Sequence, residues 1–216
     1  LMQYNHQLKQ RNSLLKNWPH GKPPDRELFA VYDEQLCHLS MEIFQTRKAF
    51  IAAYRPYFLE HYRDISSDNE SIDLLYKSQV SDEDYRQQFA DALAKDLLLQ
   101  RTTMGIHRDD IILQMDEFLM KKIGSQGQQK SMVIAMKLSQ FEYLKNVTGK
   151  MPLLLMDDIF DKLDDLRIEQ LVSMINSDRF GQVIITDART DRQKMLLEKE
   201  QVEARAFLVE GGEVKL

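Results

Sequence analysis

Gly124-Ser125-Gln126-Gly127-Gln128-Gln129-Lys130, read together with Pro152-Leu153-Leu154-Leu155-Met156-Asp157-Asp158 further along, decides how this chain is understood. The first stretch is a Gly/Ser/Gln loop that opens a helix. Its backbone N–H groups and one hydroxyl face outward at the positive helix end, where a phosphate is stabilised. The second is an apolar strand that ends in two carboxylates. One carboxylate in that position can hold Mg²⁺ through water, and its neighbour can orient or deprotonate an attacking water. The two stretches make half of an ATP site.

The other half requires a phosphate-cradling G-x-x-x-x-G-K-[ST] loop, and no window of the 216 residues fits it. Gly149-Lys150 fails because Leu144 stands where the first Gly belongs and Met151 where the hydroxyl belongs. The chain opens on Leu1 and runs directly into helix-like sequence. The expectation is a truncated chain whose missing N-terminal part carries the phosphate loop, so that the fragment alone does not bind ATP tightly.

Composition narrows the class. A hydrophobic content of 43% with 29% charged residues describes an ordinary globular protein, one large domain or two small ones. The net charge of -5 and pI of about 5.6 offer no overall basic field, so any DNA contact is local. The single cysteine, Cys37, excludes an internal disulfide framework and lies among Leu36, Leu39 and Ile43, as a buried thiol would. No apolar run approaches the ~18 residues of a membrane span, and nothing at the start of this sequence resembles a secretory signal. A cytoplasmic location is expected.

Around the two motifs, residues 1–17 read as a helix stopped by Pro19 and Gly21-Lys22-Pro23-Pro24. Asp25 can cap a longer helix through Leu28, Val31, Leu36, Leu39, Ile43, Phe50 and Tyr54, which Pro56 should end or kink. The pair makes an antiparallel hairpin arm. Ile72 to Lys77 reads as a strand, Ser81 to Asp84 as a capping box before a helix, and Asp110 to Met115 with Phe118 to Ile123 as a strand pair. A helix then runs to about Asn146, with Met132, Val133, Met136, Leu138, Phe141 and Leu144 on its apolar side. Leu153 to Met156 lacks alternation, as a strand buried on both faces does, and Gln182 to Thr186 is a second such strand. Ile168 to Ile175 marks a helix between them, and a charged helix follows from about Asp191 to Glu200. Gly211-Gly212 signals a closing hairpin. The expected fold class is α/β, a parallel-sheet lobe with a helical hairpin arm, and the order of its pieces resembles part of an ABC-type ATPase head. By that resemblance residues 1–100 would be the helical arm and signature-side lobe, and 101–216 the signature helix and the half-head with the Walker B acids.

The order of signature loop, strand with paired acids, D-loop and next strand resembles ABC-type ATPases, and within them the RecF family of bacterial DNA replication and repair proteins. Ser125-Gln126-Gly127-Gln128-Gln129 matches that family's signature, and Asp157-Asp158 its acid pair, where transporters and SMC proteins usually place Glu second. Further matches are Gln10-Arg11-Asn12-Ser13-Leu14-Leu15-Lys16, Trp18, Asp33-Glu34-Gln35-Leu36 and Gly105-Ile106-His107-Arg108-Asp109-Asp110. The resemblance covers residues 4 to 187. It implies an ATP-dependent homodimeric clamp that binds double-stranded and gapped DNA at single-strand gaps and, with RecO and RecR, helps load RecA, using ATP and Mg²⁺.

By the same resemblance, Ser125, Gln126, Gly127 and Gln128 contact the γ-phosphate of ATP held by a second subunit. Asp157 is the Mg²⁺-associated acid, Asp158 the catalytic acid, and Asp164 the D-loop residue facing the opposite subunit. The bland readings are a turn and N-cap at Ser125 and a helix cap at Asp164. Asp158 is one methylene shorter than Glu, which slows hydrolysis unless the water comes closer. Thr186-Asp187 occupies the place of a switch His, so the resemblance does not extend to an imidazole sensor. His107 and Arg108 beside Asp109 and Asp110 read as a polar network, since no second His lies at ligand spacing. Candidate DNA-contacting cations are Lys121, Lys122 and Arg108, with Lys9, Arg11, Lys16 and Arg101 behind them. Two alternatives stand beside this reading. One is a transporter-type or SMC-like head, the latter disfavoured because a ~60-residue arm is too short for very long coiled coils. The other is a non-catalytic arm and interaction module.

Overall fold

Proline and glycine punctuation between residues 19 and 24 divides the opening of the chain into two helices, α1 (Met2–Asn17) and α2 (Arg26–Ser66). The computed structural model describes residues 1–19, 21–66, 70–81, 84–177, 179–188 and 204–215. Asp25 caps α2, its carboxylate accepting from the Leu28 N–H at 3.1 Å. Tyr4 shares a buried cluster with Leu36 and Phe44, whereas Leu15, further along α1, packs with Phe29. Partners on α2 therefore run backwards as α1 advances, and the pair is antiparallel.

Pro56 does not end α2, which continues to Ser66. A proline inside a helix costs about 3 kcal/mol in lost hydrogen bonding and ring clash. The surrounding segment buries Tyr54, Phe58, Tyr62 and Ile65. At roughly 1.5–3 kcal/mol for each large apolar side chain, that burial outweighs the proline.

After α2 come β1 (Ile72–Lys77), a 3₁₀ turn (Gln79–Ser81), α3 (Tyr85–Asp91), α4 (Leu93–Leu99) and a second 3₁₀ turn (Ile106–Arg108). Strands β2 (Asp110–Met115) and β3 (Phe118–Leu119) pair antiparallel through Gln114 with Leu119 and Met115 with Phe118, in a sheet ordered β1-β2-β3. The expected strand to Ile123 stops short. Met120 is buried and the Gly124 N–H donates to its carbonyl at 2.8 Å, which closes Met120–Ile123 into the one-turn helix α5.

Helix α6 (Gln126–Thr148) follows, then β4 (Leu154–Asp157), α7 (Asp165–Ile175) and β5 (Val183–Thr186). Strands β4 and β5 pair in parallel from Leu154 with Val183 to Asp157 with Thr186. The core face of α6 is Met132, Ile134, Ala135, Leu138 and Phe141 with Ser131 and Ser139, while Val133 and Leu144 face out. Neither strand is buried on both faces as predicted. Leu154 and Met156 are buried, but Leu153, Leu155 and Ile184 are exposed. Burial alternates along β4, so one face is packed and the other, among the described residues, is open. The hairpin β6 (Leu208–Glu210) and β7 (Glu213–Lys215) turns at Gly211 and Gly212, with φ of 59° and 85°. Positive φ at both central positions suits a type I′ turn and glycine. Asp82 and Glu83 of the expected capping box, and the charged helix predicted at 191–200, lie outside the described residues.

The chain packs as two compact units, Leu1–Ala53 with Leu74–Leu113, and Tyr54–Asp73 with Gln114–Leu216. In the first, Cys37 is buried and burial pushes its thiol up to about 11.

Candidate functional site

The signature residues form the first turn of α6. Ser125 is its N-cap, in extended conformation, with Oγ accepting from the Gln128 N–H at 3.2 Å. The Gln128 side chain returns the bond, its Oε1 accepting from the Ser125 N–H at 2.8 Å. This closed capping box satisfies two donors and leaves two features open. The hydroxyl hydrogen of Ser125 is uncommitted by a bond in which Oγ only accepts. The N–H groups of Gln126 and Gly127 have no preceding helical turn to accept them. Ser125 and Gln126 are exposed, so a donor cluster at the positive end of a 23-residue helix meets solvent. The capping role is real, and it coexists with phosphate-binding capacity.

Gly127 is needed for close approach: a Cβ there would lie 3.3 Å from the Lys162 carbonyl oxygen. That carbonyl belongs to the turn after β4, where Lys162 has a left-handed φ of 65°. The turn leads to Asp164, which caps α7 by accepting from the Arg167 N–H at 3.0 Å. Asp157 ends β4 and Asp158 follows it, both exposed. Thr186 donates its hydroxyl to Asp157 Oδ1, and the Asp158 N–H donates to the Thr186 carbonyl at 3.0 Å. Asp158 adopts φ 48°, a left-handed conformation that Asp tolerates better than longer side chains. Lys130, one turn into α6, donates to the Asp158 carbonyl at 2.8 Å. Signature turn and acid pair are thus tied together within the second unit.

Among the described residues no group of three His, Cys, Asp or Glu side chains makes a protein-only metal cage. Mg²⁺ beside phosphates needs only one or two carboxylates, with water filling the rest. The exposed Asp157, oriented by Thr186, fits that limited role.

A second layer lies behind the signature turn. Glu70 Oε1 accepts from Gln128 Nε2 at 3.1 Å and from Arg167 Nη2 at 2.6 Å, while Tyr62 donates its hydroxyl to Oε2. Arg167 also donates to Ser131 at 2.9 Å and lies 3.3 Å from the Asp164 carboxylate. Burial works against the charge of Glu70, but the donations from Tyr62, Gln128 and Arg167 outweigh it and hold the carboxyl below its usual range. Sequence reading missed the roles of Glu70, Arg167 and Lys130, and noted Thr186 only as standing in the place of a switch His. Lys130 was visible as the residue closing the quoted motif; Glu70 finds Gln128 and Arg167 58 and 97 positions away, with only Tyr62, 8 positions back, close in sequence.

The candidate cations divide. Lys121 and Lys122 are exposed on α5, in the second unit, and Arg108 is exposed in the first. Arg11 is not a surface cation. It is fully buried, bonded to Asp33 at 2.6 Å, Asp96 at 2.6 Å and Thr102 at 2.9 Å, with the ring of Phe89 4.9 Å from its guanidinium carbon. A buried guanidinium requires such partners, which is why Arg11 and Asp33, two of the resembling segments, come together. In the same unit His107 Nδ1 meets the Tyr4 hydroxyl at 2.7 Å, and Asp109 accepts from Arg47 at 2.6 Å. No helix among the described residues is long and apolar enough to cross a membrane.

No protein-family model matches the chain. Curated relatives do: "DNA replication and repair protein RecF" of Cytophaga hutchinsonii is 44% identical over 215 residues, covering all of this chain. That of Flavobacterium johnsoniae is 41% identical over 91% of it. The chain spans 57% and 55% of those relatives' lengths. Among solved structures, the recombination mediator protein RecF with ATPrS in the RecFOR pathway superposes with a TM-score of 0.73 at 28% identity, over 99% of this chain and 56% of that one. The same protein with ATP gives 0.72 at 29% identity, over 88% and 52%. In sequence along its whole length, and in its α/β fold, the chain matches RecF, of whose length it spans a little over half.

Proposed function

We propose that this chain supplies two separate parts of a paired ATP site: a signature turn for the nucleotide of a second copy, and the acids for its own. The observation that carries the reading is the first turn of α6. There the capping box uses Ser125 Oγ as an acceptor and leaves its O–H, with the Gln126 and Gly127 N–H groups, outside the box, at an exposed Ser125 and Gln126 and a half-buried Gly127. Bound Mg·ATP supplies the scissile phosphoanhydride and the charge on which the rest acts. Ser125, Gln126, Gly127 and Gln128 receive the γ-phosphate across a dimer interface, and Asp164 faces the opposite subunit. Asp157 helps to hold Mg²⁺, and Asp158 orients the attacking water. The phosphate loop is contributed by the part of RecF-type chains that this sequence does not span.

In the whole protein, ATP closes a homodimeric clamp on double-stranded or gapped DNA in the cytoplasm, with Lys121, Lys122 and Arg108 among the phosphate contacts. That clamp works with RecO and RecR to help load RecA. Nucleotide shared between two heads makes pairing depend on ATP, because a ligand that binds only the closed form stabilises it. The test is gapped-DNA affinity of the full-length protein with ATP and with ADP. Tighter binding with ATP is expected, and equal affinity overturns the switch. Calorimetric titration of the 216 residues with Mg·ATP should show no micromolar binding.

A further inference from the structure

We propose that Glu70, together with Arg167, is a positioning pair that holds the signature turn and the cap of α7 as one prealigned surface, and so sets the strength of ATP-driven pairing. The proposal rests on the reading of Ser125 as a nucleotide contact. Its basis is the hydrogen-bond logic of Gln128. A glutamine amide has a donor end and an acceptor end, and which one faces a neighbour is decided by that neighbour. An ionised carboxylate only accepts. Glu70 therefore takes Gln128 Nε2, at 3.1 Å, and turns Oε1 toward the Ser125 N–H, at 2.8 Å. With the amide reversed, two donors would face each other at Ser125 and the capping box would open. Ser125 Oγ would then lose the orientation in which its hydroxyl points away from the helix.

The same oxygen of Glu70 accepts from Arg167, at 2.6 Å. Arg167 reaches Asp164 on one side, at 3.3 Å, and Ser131 of α6 on the other, at 2.9 Å. Glu70 and Arg167 are nearly enclosed, with side-chain exposures of 14% and 13%, whereas Asp164 is 61% exposed. The two caps that the functional reading turns toward the second subunit are thus locked to a single sheltered carboxylate. Its third partner, Tyr62, comes from the last turns of α2, which anchors the hub to a long helix. Neither Glu70 nor Arg167 reaches the nucleotide in this scheme; both act through the caps.

The experiment compares full-length wild type with Glu70→Gln, Glu70→Ala and Ser125→Asp. Dimerisation is measured by sedimentation with ATP and with ADP, nucleotide affinity at low protein concentration, and amide exchange at Ser125. Ser125→Asp keeps a good cap but sets a negative charge against phosphate, so it is expected to abolish pairing. Glu70→Ala is expected to weaken ATP-dependent dimerisation on the order of tenfold, the size of one lost hydrogen bond to a charged group. Exchange at the Ser125 amide should speed up by a similar factor, with monomer ATP affinity unchanged. Glu70→Gln, which keeps an acceptor oxygen and disturbs folding less, should fall between wild type and alanine in both readouts. If Ser125→Asp abolishes pairing while both Glu70 variants pair as wild type, the positioning role is overturned alone. If Ser125→Asp pairs normally, the signature reading falls and takes this proposal with it. Equal losses in monomer ATP affinity and in pairing for Glu70→Gln would mark a general folding role and also overturn it.

Discussion

Arg11 in the first unit and Ser125 in the second both belong to polar segments that resemble the RecF family, yet they end in opposite environments. Around Arg11, two carboxylates and a threonine hydroxyl close on the guanidinium, and the group is removed from water. Around Ser125, the capping box consumes only part of the hydrogen-bonding capacity and the remainder faces solvent. The difference shows how to sort polar residues that identify a family. Where the partners lie inside the chain the residue holds the fold; where donors stay open, the partner comes from outside.

The largest effect that could break this contrast is in stability. Arg11→Met should lower unfolding free energy by about 3–5 kcal/mol, because Asp33 and Asp96 are left without their buried countercharge. Urea denaturation measures it, and a loss below about 1 kcal/mol would place Arg11 with the functional residues instead. Asp158→Asn should do the reverse in the full-length protein. ATP hydrolysis is expected to fall by roughly 10²-fold or more, while the urea midpoint stays at that of wild type, since Asp158 is exposed. Ser125→Ala lies between these, costing about 1 kcal/mol through the lost cap and abolishing ATP-dependent pairing as well.

The smallest effect sharpens the contrast inside the second unit, which has a buried polar centre of its own. His61 is fully enclosed, with Nε2 2.8 Å from Glu142, and Arg179 reaches both Glu142 and Glu60. Burial, and next Arg179, lower its pKa below the ordinary 6.5. The unfolded chain therefore takes up this proton first as pH falls. The contribution of His61 to stability is complete above 6.5 and declines as pH drops from there through the lowered folded value. Urea midpoints between pH 7.5 and pH 5.5 should fall more for wild type than for His61→Gln, and identical slopes would remove His61 from the centre.

Much of the site was legible because its signals are local. A Ser-x-Gly-Gln turn opening a helix and an apolar run ending in two acids need only neighbouring residues to be recognised, and both emerged where expected. Asp25 and Asp164 as caps, and the turn at Gly211-Gly212, are local in the same sense. Arg11 was misread because surface and buried arginines look alike until their partners are known, and Asp96 is 85 positions away. Pro56 does not end α2 because propensity describes an isolated helix, whereas four large side chains are buried around it here. Alternation in β4 was hidden for a related reason: an apolar run can serve two covered faces, and how many are covered depends on the layers packed against the sheet.

The sequence by itself determined the match to RecF, the α/β class and the places of the turn at 124–130 and of the acids at 157–158, since these follow from residue type and short spacing. Only the tertiary structure decided that Arg11 is an interior cation, that Gly127 makes room for the Lys162 carbonyl, and that Glu70 selects which end of Gln128 faces Ser125. Those outcomes depend on distances between groups far apart in the chain, and packing and the burial of charge settle them after the local elements have formed.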